Sequence, residues 1–367
     1  MKIQLFVFLS ILLYNSAMNN EILNRLTKIE EALNHSLSMA VSKEWQDDSF
    51  GHLSDAITKN FIQNLITPNK NLIDLGGKRW RPLLLILCYE LQSKINAATT
   101  LSEAAAYSLT PLVEFVHTAS LIHDDIEDSA DLRRGKPAAH ITYGLDTALN
   151  AASWLYFEAP VCINANAEIP AERQLTLYQI YTQELRRLHL GQAMDIFWHR
   201  TPGLFPTKDE YQGMVRCKTG TLASMAAKIG YIAGGASVED ADKAGETAAN
   251  IGMGFQVIDD VINLTTGNPG KKRGDDIVEG KKSLPVLIHV EKNPSDASKI
   301  AALMEKAAAE GIDSPAVEEC IQLLESSGCI KQAAKFGKKL ITDNVGFFKS
   351  DLVSDLFTSM IPKEFRA

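Results

Sequence analysis

Apolar residues gather along this chain in long stretches with helical spacing. Leu83-Leu84-Leu85-Ile86-Leu87 follows a basic loop and reads as a buried helix. Pro82 suits the first turn of that helix, where a missing N–H leaves no bond unmade. Ala104-Ala105-Ala106 and the segment Ala223 to Ala227 are rich in strong helix formers. Ala297 to Ala309 and Ile330 to Ile341 read as amphipathic helices. Met18-Asn19-Asn20-Glu21-Ile22-Leu23-Asn24-Arg25-Leu26 opens another. Alternating runs of β-branched residues bounded by turns are missing. Pro and Gly fall where loops belong, at Thr201-Pro202-Gly203-Leu204-Phe205-Pro206 and Gly267-Asn268-Pro269-Gly270. The pattern predicts an all-α protein.

Two of the apolar stretches are interrupted by acid. The first reads Leu121-Ile122-His123-Asp124-Asp125-Ile126-Glu127-Asp128, the second Phe255-Gln256-Val257-Ile258-Asp259-Asp260-Val261-Ile262-Asn263. A carboxylate in apolar surroundings needs a cation or a hydrogen-bond donor. Neither cluster contains Lys or Arg, which points to a divalent metal as the cation. Positions i and i+4 share a helix face. Asp124 and Asp128 therefore point one way with Asp125 at the shoulder, and Asp259 and Asn263 repeat the geometry with Asp260 beside them. Mg²⁺ takes oxygen ligands, keeps several waters, and commonly combines one or two carboxylates with substrate phosphates. Facing clusters of this kind could grip a diphosphate through bridging metal.

Basic segments flank both clusters: Gly76-Gly77-Lys78-Arg79-Trp80-Arg81-Pro82, Arg133-Arg134-Gly135-Lys136-Pro137, Lys218-Thr219-Gly220, Gly270-Lys271-Lys272-Arg273-Gly274 and Glu279-Gly280-Lys281. Arg offers phosphate a planar fork and Lys a point charge. Each segment alone reads as a surface charge run; their placement around two acidic clusters turns them toward phosphate. The chain has 367 residues, is 46% hydrophobic and carries a net charge of -8, which supplies a large core and argues against a nucleic-acid partner. Five cysteines, Cys88, Cys162, Cys217, Cys320 and Cys329, lack metal-ligand spacing and read as reduced thiols of a cytosolic protein.

With these motifs in place the chain closely resembles the trans-type isoprenyl diphosphate synthases, especially the polyprenyl branch. The matching segments run in that family's order: Gly77 to Pro82, His117, Asp124 to Asp128, Arg133 to Pro137, Gly191-Gln192-Ala193-Met194-Asp195, Lys218-Thr219, Phe255-Gln256, Asp259-Asp260, and Gly270 to Pro285. The resemblance covers about residues 50–290. It implies an isoprenoid synthase-type helical bundle around a deep central cavity, with the aspartate segments facing each other at its mouth. It implies a chain-elongating prenyltransferase that condenses an allylic diphosphate, such as farnesyl diphosphate, with isopentenyl diphosphate. Mg²⁺ would be held by Asp124, Asp125, Asp128, Asp259, Asp260 and Asn263. Isopentenyl diphosphate would be bound by Lys78, Arg79, His117 and Arg134, and the allylic diphosphate by Arg133, Lys218, Thr219, Gln256, Lys271 and Lys281. His117 lies seven positions before Asp124, two helical turns, hence on its face. Gln256 could orient a ligand or satisfy a buried hydrogen bond. Asp276 with Lys281, and Asp195 near Gln192, could support the first shell of ligands. A homodimer is expected from the resemblance.

One departure is Asn263, where the family usually has Asp; the amide keeps a carbonyl oxygen and loses a charge. It leans slightly toward terpene cyclases of the same fold, but the Gly77-Lys78-Arg79 and Arg133-Arg134 elements for a second diphosphate speak against them. A weak subunit that partners an active homologue is the other alternative; such subunits usually lose aspartates that are kept here. In this family residues four and five positions before the first aspartate lie below the metal, and here they are Ser120 and Ala119, with Val116 one turn deeper. None is bulky. The expectation is a trans-polyprenyl product longer than fifteen carbons, with a long quinone-type tail anticipated and transient membrane contact at its release. Ile3 to Tyr14 form an apolar run shorter than the roughly 20 residues a bilayer requires. It is taken as an upstream extension, residues 1–17, with Met18 as the start of one cytoplasmic domain over 18–367, and it leaves export or anchoring as a lesser alternative.

Overall fold

The computed structural model describes residues 16–267 and 272–361, and nearly all of their regular structure is helix. The apolar run at 3–14 and Lys271 lie outside the described residues. The predicted helices are present: Ser16–Ser36, Trp80–Ser93, Glu103–Ser108, Pro111–Glu127, Thr221–Ala233, Val238–Thr265, Ala297–Glu310 and Cys329–Val345. Pro82 occupies the first turn of Trp80–Ser93, and Leu83 to Leu87 behind it are between 0% and 2% exposed. Thr201 to Pro206 joins helix Ala171–His199 to helix Lys208–Val215, whose start is fixed by a Thr207–Glu210 capping box. The pattern missed one short hairpin, Leu132–Arg133 paired with Lys136–Pro137. Two residues per strand leave no alternation to read, and Arg134 and Gly135 both take positive φ, as a two-residue primed turn requires.

The chain divides into two compact units. The first holds the described residues up to Glu184 together with Met225–Gly245; the second holds Leu185–Ser224 and the described residues from Glu246 onward. Helices Ala171–His199, Thr221–Ala233 and Val238–Thr265 contribute residues to both.

In the first unit, helix Pro111–Glu127 packs on helix Leu145–Glu158 through Ile122, Ala148 and Ala152, joined by Leu72. Val113, Val116, Ala119 and Ile122 are fully buried. His117, Ser120, Asp124 and Asp128 form the partly open stripe, as the 3.6-residue period requires. In the second unit, Met253, Val257, Val261 and Leu264 give helix Val238–Thr265 its core face, packed among Val286, Leu287, Ile288 and Ile321. Asp259 points away from that face and is exposed. No described helix is long and apolar enough to cross a membrane.

Candidate active site

In the first unit the acidic cluster divides by burial. Asp124 and Asp128 are partly exposed; Asp125 is 1% exposed. Its Oδ1 accepts from Arg133 Nε at 2.7 Å and from a terminal nitrogen of the same guanidinium. Arg133 also lies 3.5 Å from Asp124. The cation expected beside Asp125 is thus a side chain eight positions on, delivered by the hairpin turn. Burial pushes the Asp125 carboxyl up from the ordinary range, and Arg133 opposes that push. Burial works against the Arg133 charge, yet the three aspartates hold it above its ordinary value. Asp125 Oδ2 is buried with no hydrogen-bond partner.

Beside this lies a concentration of positive charge. Arg134 donates to the carbonyls of Leu72, at 3.1 Å, and Gly76. A Cβ on Gly77 would stand 3.0 Å from that guanidinium, so the glycine pair lets the loop close around it. Arg79, expected to bind isopentenyl diphosphate, is placed otherwise. It donates to Glu30 at 2.7 Å, to Glu114 at 2.6 Å and to the Ile73 carbonyl at 2.6 Å, and its side chain is 1% exposed. A guanidinium so enclosed braces the loop. Arg81, two positions on, is less completely paired. Its Nε is buried without a partner, it stacks on Trp80 at 4.4 Å, and it lies 3.4 Å from His117 Nε2. Burial, then the crowding of Arg134, brings Arg81 down to about 10. Burial and four arginines hold His117 well below its ordinary pKa, so it is neutral at pH 7. Lys78 is exposed at the start of the loop.

The second unit repeats the division of its aspartates. Asp259 is exposed, while Asp260 is 5% exposed and accepts from Tyr211 Oη at 2.7 Å and Gln256 Nε2 at 2.9 Å. Gln256 Oε1 in turn accepts from Thr219 Oγ1 at 2.9 Å. Of the two roles open to Gln256, the hydrogen-bonding one is filled. Burial, then Asp276, pushes the Asp260 carboxyl up to about 7, against the two donors. Asn263 was expected on the face of Asp259. It is 1% exposed, and its Oδ1 accepts the Asp276 backbone N–H at 3.3 Å. Positions i and i+4 differ by about 40° around a helix, enough here to separate an exposed carboxylate from a buried amide. The oxygen expected at metal holds the following turn instead.

Lys218 and Thr219 lie on a π-helical turn, Arg216–Gly220, a local widening often found at functional sites. Gly191 makes the approach possible, because a Cβ there would stand 2.3 Å from the Lys218 backbone nitrogen. Lys218 Nζ meets Asp195 Oδ2 at 2.5 Å. Lys281 pairs with Glu279 and, at 3.7 Å, with Asp276, as expected for a supporting pair. Tyr211, Glu114 and Glu30 belong to no motif; only the fold brings them to their partners.

No three His, Cys, Asp or Glu side chains converge to cage a metal among the described residues. A Mg²⁺ site completed by substrate phosphates and water asks less of the protein. The partly exposed Asp124 and Asp128, one turn apart, fit such a site.

Residues 62–324 match the profile of the family described as polyprenyl synthetase. The chain belongs to the polyprenyl synthetase family. Among its relatives, a short chain isoprenyl diphosphate synthase of Methanocaldococcus jannaschii is 35% identical over 72% of this chain and 77% of that protein. Geranylgeranyl pyrophosphate synthase 2 of Zymoseptoria tritici is 37% identical over 61% of this chain and 66% of that one. The chain spans just under two thirds of the length of the fungal synthases it matches first. The solved geranylgeranyl pyrophosphate synthetase of Pyrococcus horikoshii Ot3 superposes with a TM-score of 0.75 at 26% identity, over 95% of this chain and 98% of that one. The polyprenyl synthetase fold accounts for the all-α reading and the order of the motifs.

Proposed function

We propose that this protein is a trans-prenyltransferase that joins an allylic diphosphate to isopentenyl diphosphate and releases diphosphate. One observation carries the reading: the open stripe of helix Pro111–Glu127 sets the carboxylates Asp124 and Asp128 in line with His117, itself against the incompletely satisfied Arg81. Carboxylates for metal and guanidinium for phosphate on one helix face suit a substrate that carries diphosphate.

In this reading Lys78, Arg81, His117 and Arg134 hold isopentenyl diphosphate. Arg81 replaces Arg79 among the ligands. Arg133, Lys218 and Lys281 add positive charge around the allylic diphosphate, with Lys271 kept in that role from the family pattern. By the family pattern Asp124 and Asp128 would serve as Mg²⁺ ligands in the first unit, and Asp259 is the outer carboxylate of the second motif; Mg²⁺ when bound would neutralise charge on the leaving diphosphate. Asp125 and Asp260 set the geometry behind those ligands. The carbon–oxygen bond of the allylic substrate ionises, the isopentenyl double bond attacks the allylic cation, and a proton leaves to the departing diphosphate. No protein nucleophile is needed.

The product is longer than fifteen carbons. Val116 and Ala119 are small and buried, and Ser120 turns its hydroxyl to the His117 carbonyl at 2.9 Å. The names of the relatives favour the geranylgeranyl end of that range over the long quinone tail. A homodimer remains part of the proposal, supported by Leu145, Leu149 and Phe157, which helix Leu145–Glu158 leaves exposed. So does a cytoplasmic location, with transient membrane contact at product release.

The test is product analysis. The full chain, given farnesyl diphosphate, isopentenyl diphosphate and Mg²⁺, should yield a prenyl alcohol beyond fifteen carbons after dephosphorylation. Folded protein that incorporates no isopentenyl unit overturns the reading, and a hydrocarbon product transfers it to a cyclase. Ala119→Phe should shorten the product; an unchanged distribution removes that residue from the floor.

A further inference from the structure

The second unit holds a histidine that the proposed reaction does not use but that lies beside Asp195, the partner of Lys218, which it does. His199 ends helix Ala171–His199, one turn after Asp195 and two after Gln192, so the three share a face. His199 Nε2 lies 3.5 Å from Asp195 Oδ1, while Asp195 Oδ2 meets the Lys218 ammonium at 2.5 Å. The two oxygens of one buried carboxylate are turned to two different partners. Lys218 has little freedom at its base, because its backbone is seated against Gly191 of the same helix.

The remaining surroundings of the imidazole are cationic. Gly280 approaches it closely, since a Cβ there would lie 3.9 Å from His199 Cβ, and Lys281 and Lys282 follow directly. The charged groups bearing on His199 are Asp195 from its own helix, Lys218 from the π turn, and Lys281 and Lys282 from the segment before helix Leu284–Lys292. Glu279 and Asp276 pair with Lys281. Burial first, then the three lysines, lowers the His199 pKa, and Asp195 opposes them. The ring is therefore neutral at pH 7. In that form it can bring Nε2–H to Asp195 Oδ1, which stands 3.5 Å away with no hydrogen bond yet formed between them, without adding a fourth cation or competing as a charge for the carboxylate that Lys218 needs.

We propose that His199 is a positioning residue for the allylic diphosphate, holding Asp195 by the oxygen Lys218 leaves open so that the Lys218 ammonium stays where the diphosphate meets it. The ligand's identity rests on the prenyltransferase reading; the arrangement of the three side chains does not.

The test compares the full chain with His199→Ala and His199→Gln. It uses steady-state kinetics for each substrate, calorimetric binding of inorganic diphosphate with Mg²⁺, and thermal denaturation. His199→Ala should raise KM for farnesyl diphosphate about 10-fold, the equivalent of about 1.4 kcal/mol of binding. KM for isopentenyl diphosphate and the Tm should stay near wild type. Mg²⁺-diphosphate binding should weaken by a similar factor, and His199→Gln, which still donates an N–H, should recover most of the loss. Equal rises in both KM values, or a glutamine variant as impaired as alanine, would mean a merely structural role and sink the inference. If wild-type protein transfers no prenyl group yet His199→Ala still weakens diphosphate binding, the positioning role stands and the transferase reading falls. If wild type turns over and His199→Ala binds diphosphate unchanged, the reverse holds.

Discussion

Asp125 and Asp260 are each the second aspartate of a pair, and each is buried behind a neighbour, Asp124 or Asp259, that reaches solvent. What holds them differs. Asp125 faces the Arg133 guanidinium, delivered by a hairpin turn. Asp260 faces the neutral donors of Tyr211 and Gln256, with Asp276 close by. A buried charge needs a countercharge, whereas a buried carboxyl that carries a proton needs only hydrogen bonds. The first cluster thus gives its buried acid a countercharge, and the second gives its buried acid neutral hydrogen-bond donors. Glu158 shows that the partner, not the unit, decides. It lies in the first unit with Asp125, but the partner it is given is the Ser49 hydroxyl at 2.7 Å, and burial pushes its carboxyl up to about 7.

The strongest challenge to this comparison removes an outer carboxylate. Asp124→Asn should lower kcat by about 10²- to 10³-fold, the usual loss when one group stabilising developing charge is removed, with Tm nearly unchanged. Asp259→Asn should behave alike if the outer aspartates play the same part. Next in size is Arg133→Met, which strands Asp125 in the interior. Breaking a buried pair on one side costs about 3 kcal/mol, to be read as a fall in denaturation midpoint, and Asp125→Asn in the same chain should restore much of it.

The pH test falls on Glu158. Its folded-state pKa lies above its ordinary 4.5, so folding favours the protonated form. That contribution is complete below pH 4.5 and is lost as pH rises through about 7. Glu158→Gln should flatten stability between those values and gain about 3 kcal/mol over wild type at pH 8, measured by urea denaturation at each pH. The smallest effect belongs to Tyr211→Phe. It removes one donor from Asp260 and should cost about 1 kcal/mol; a loss as large as that of Arg133→Met would erase the contrast between the clusters.

The sequence alone determined that the protein is helical, because the 3.6-residue period, the prolines and the absence of alternation are local signals. It also determined where the acidic and basic motifs lie and that His117 shares a face with Asp124, since seven residues close two turns of any helix. The partners were beyond it. That Arg79 is enclosed by Glu30 and Glu114 while Arg81 keeps an unmet donor depends on residues up to 49 positions apart. Tyr211 reaches Asp260 across a similar separation. Asn263 shows the limit of periodicity: an offset of about 40° is small on a helical wheel yet decides between solvent and core. Spacing fixes where a side chain sits on its own helix. Whether it is charged, paired or available is set by what the fold packs against it, and only the tertiary structure decided that.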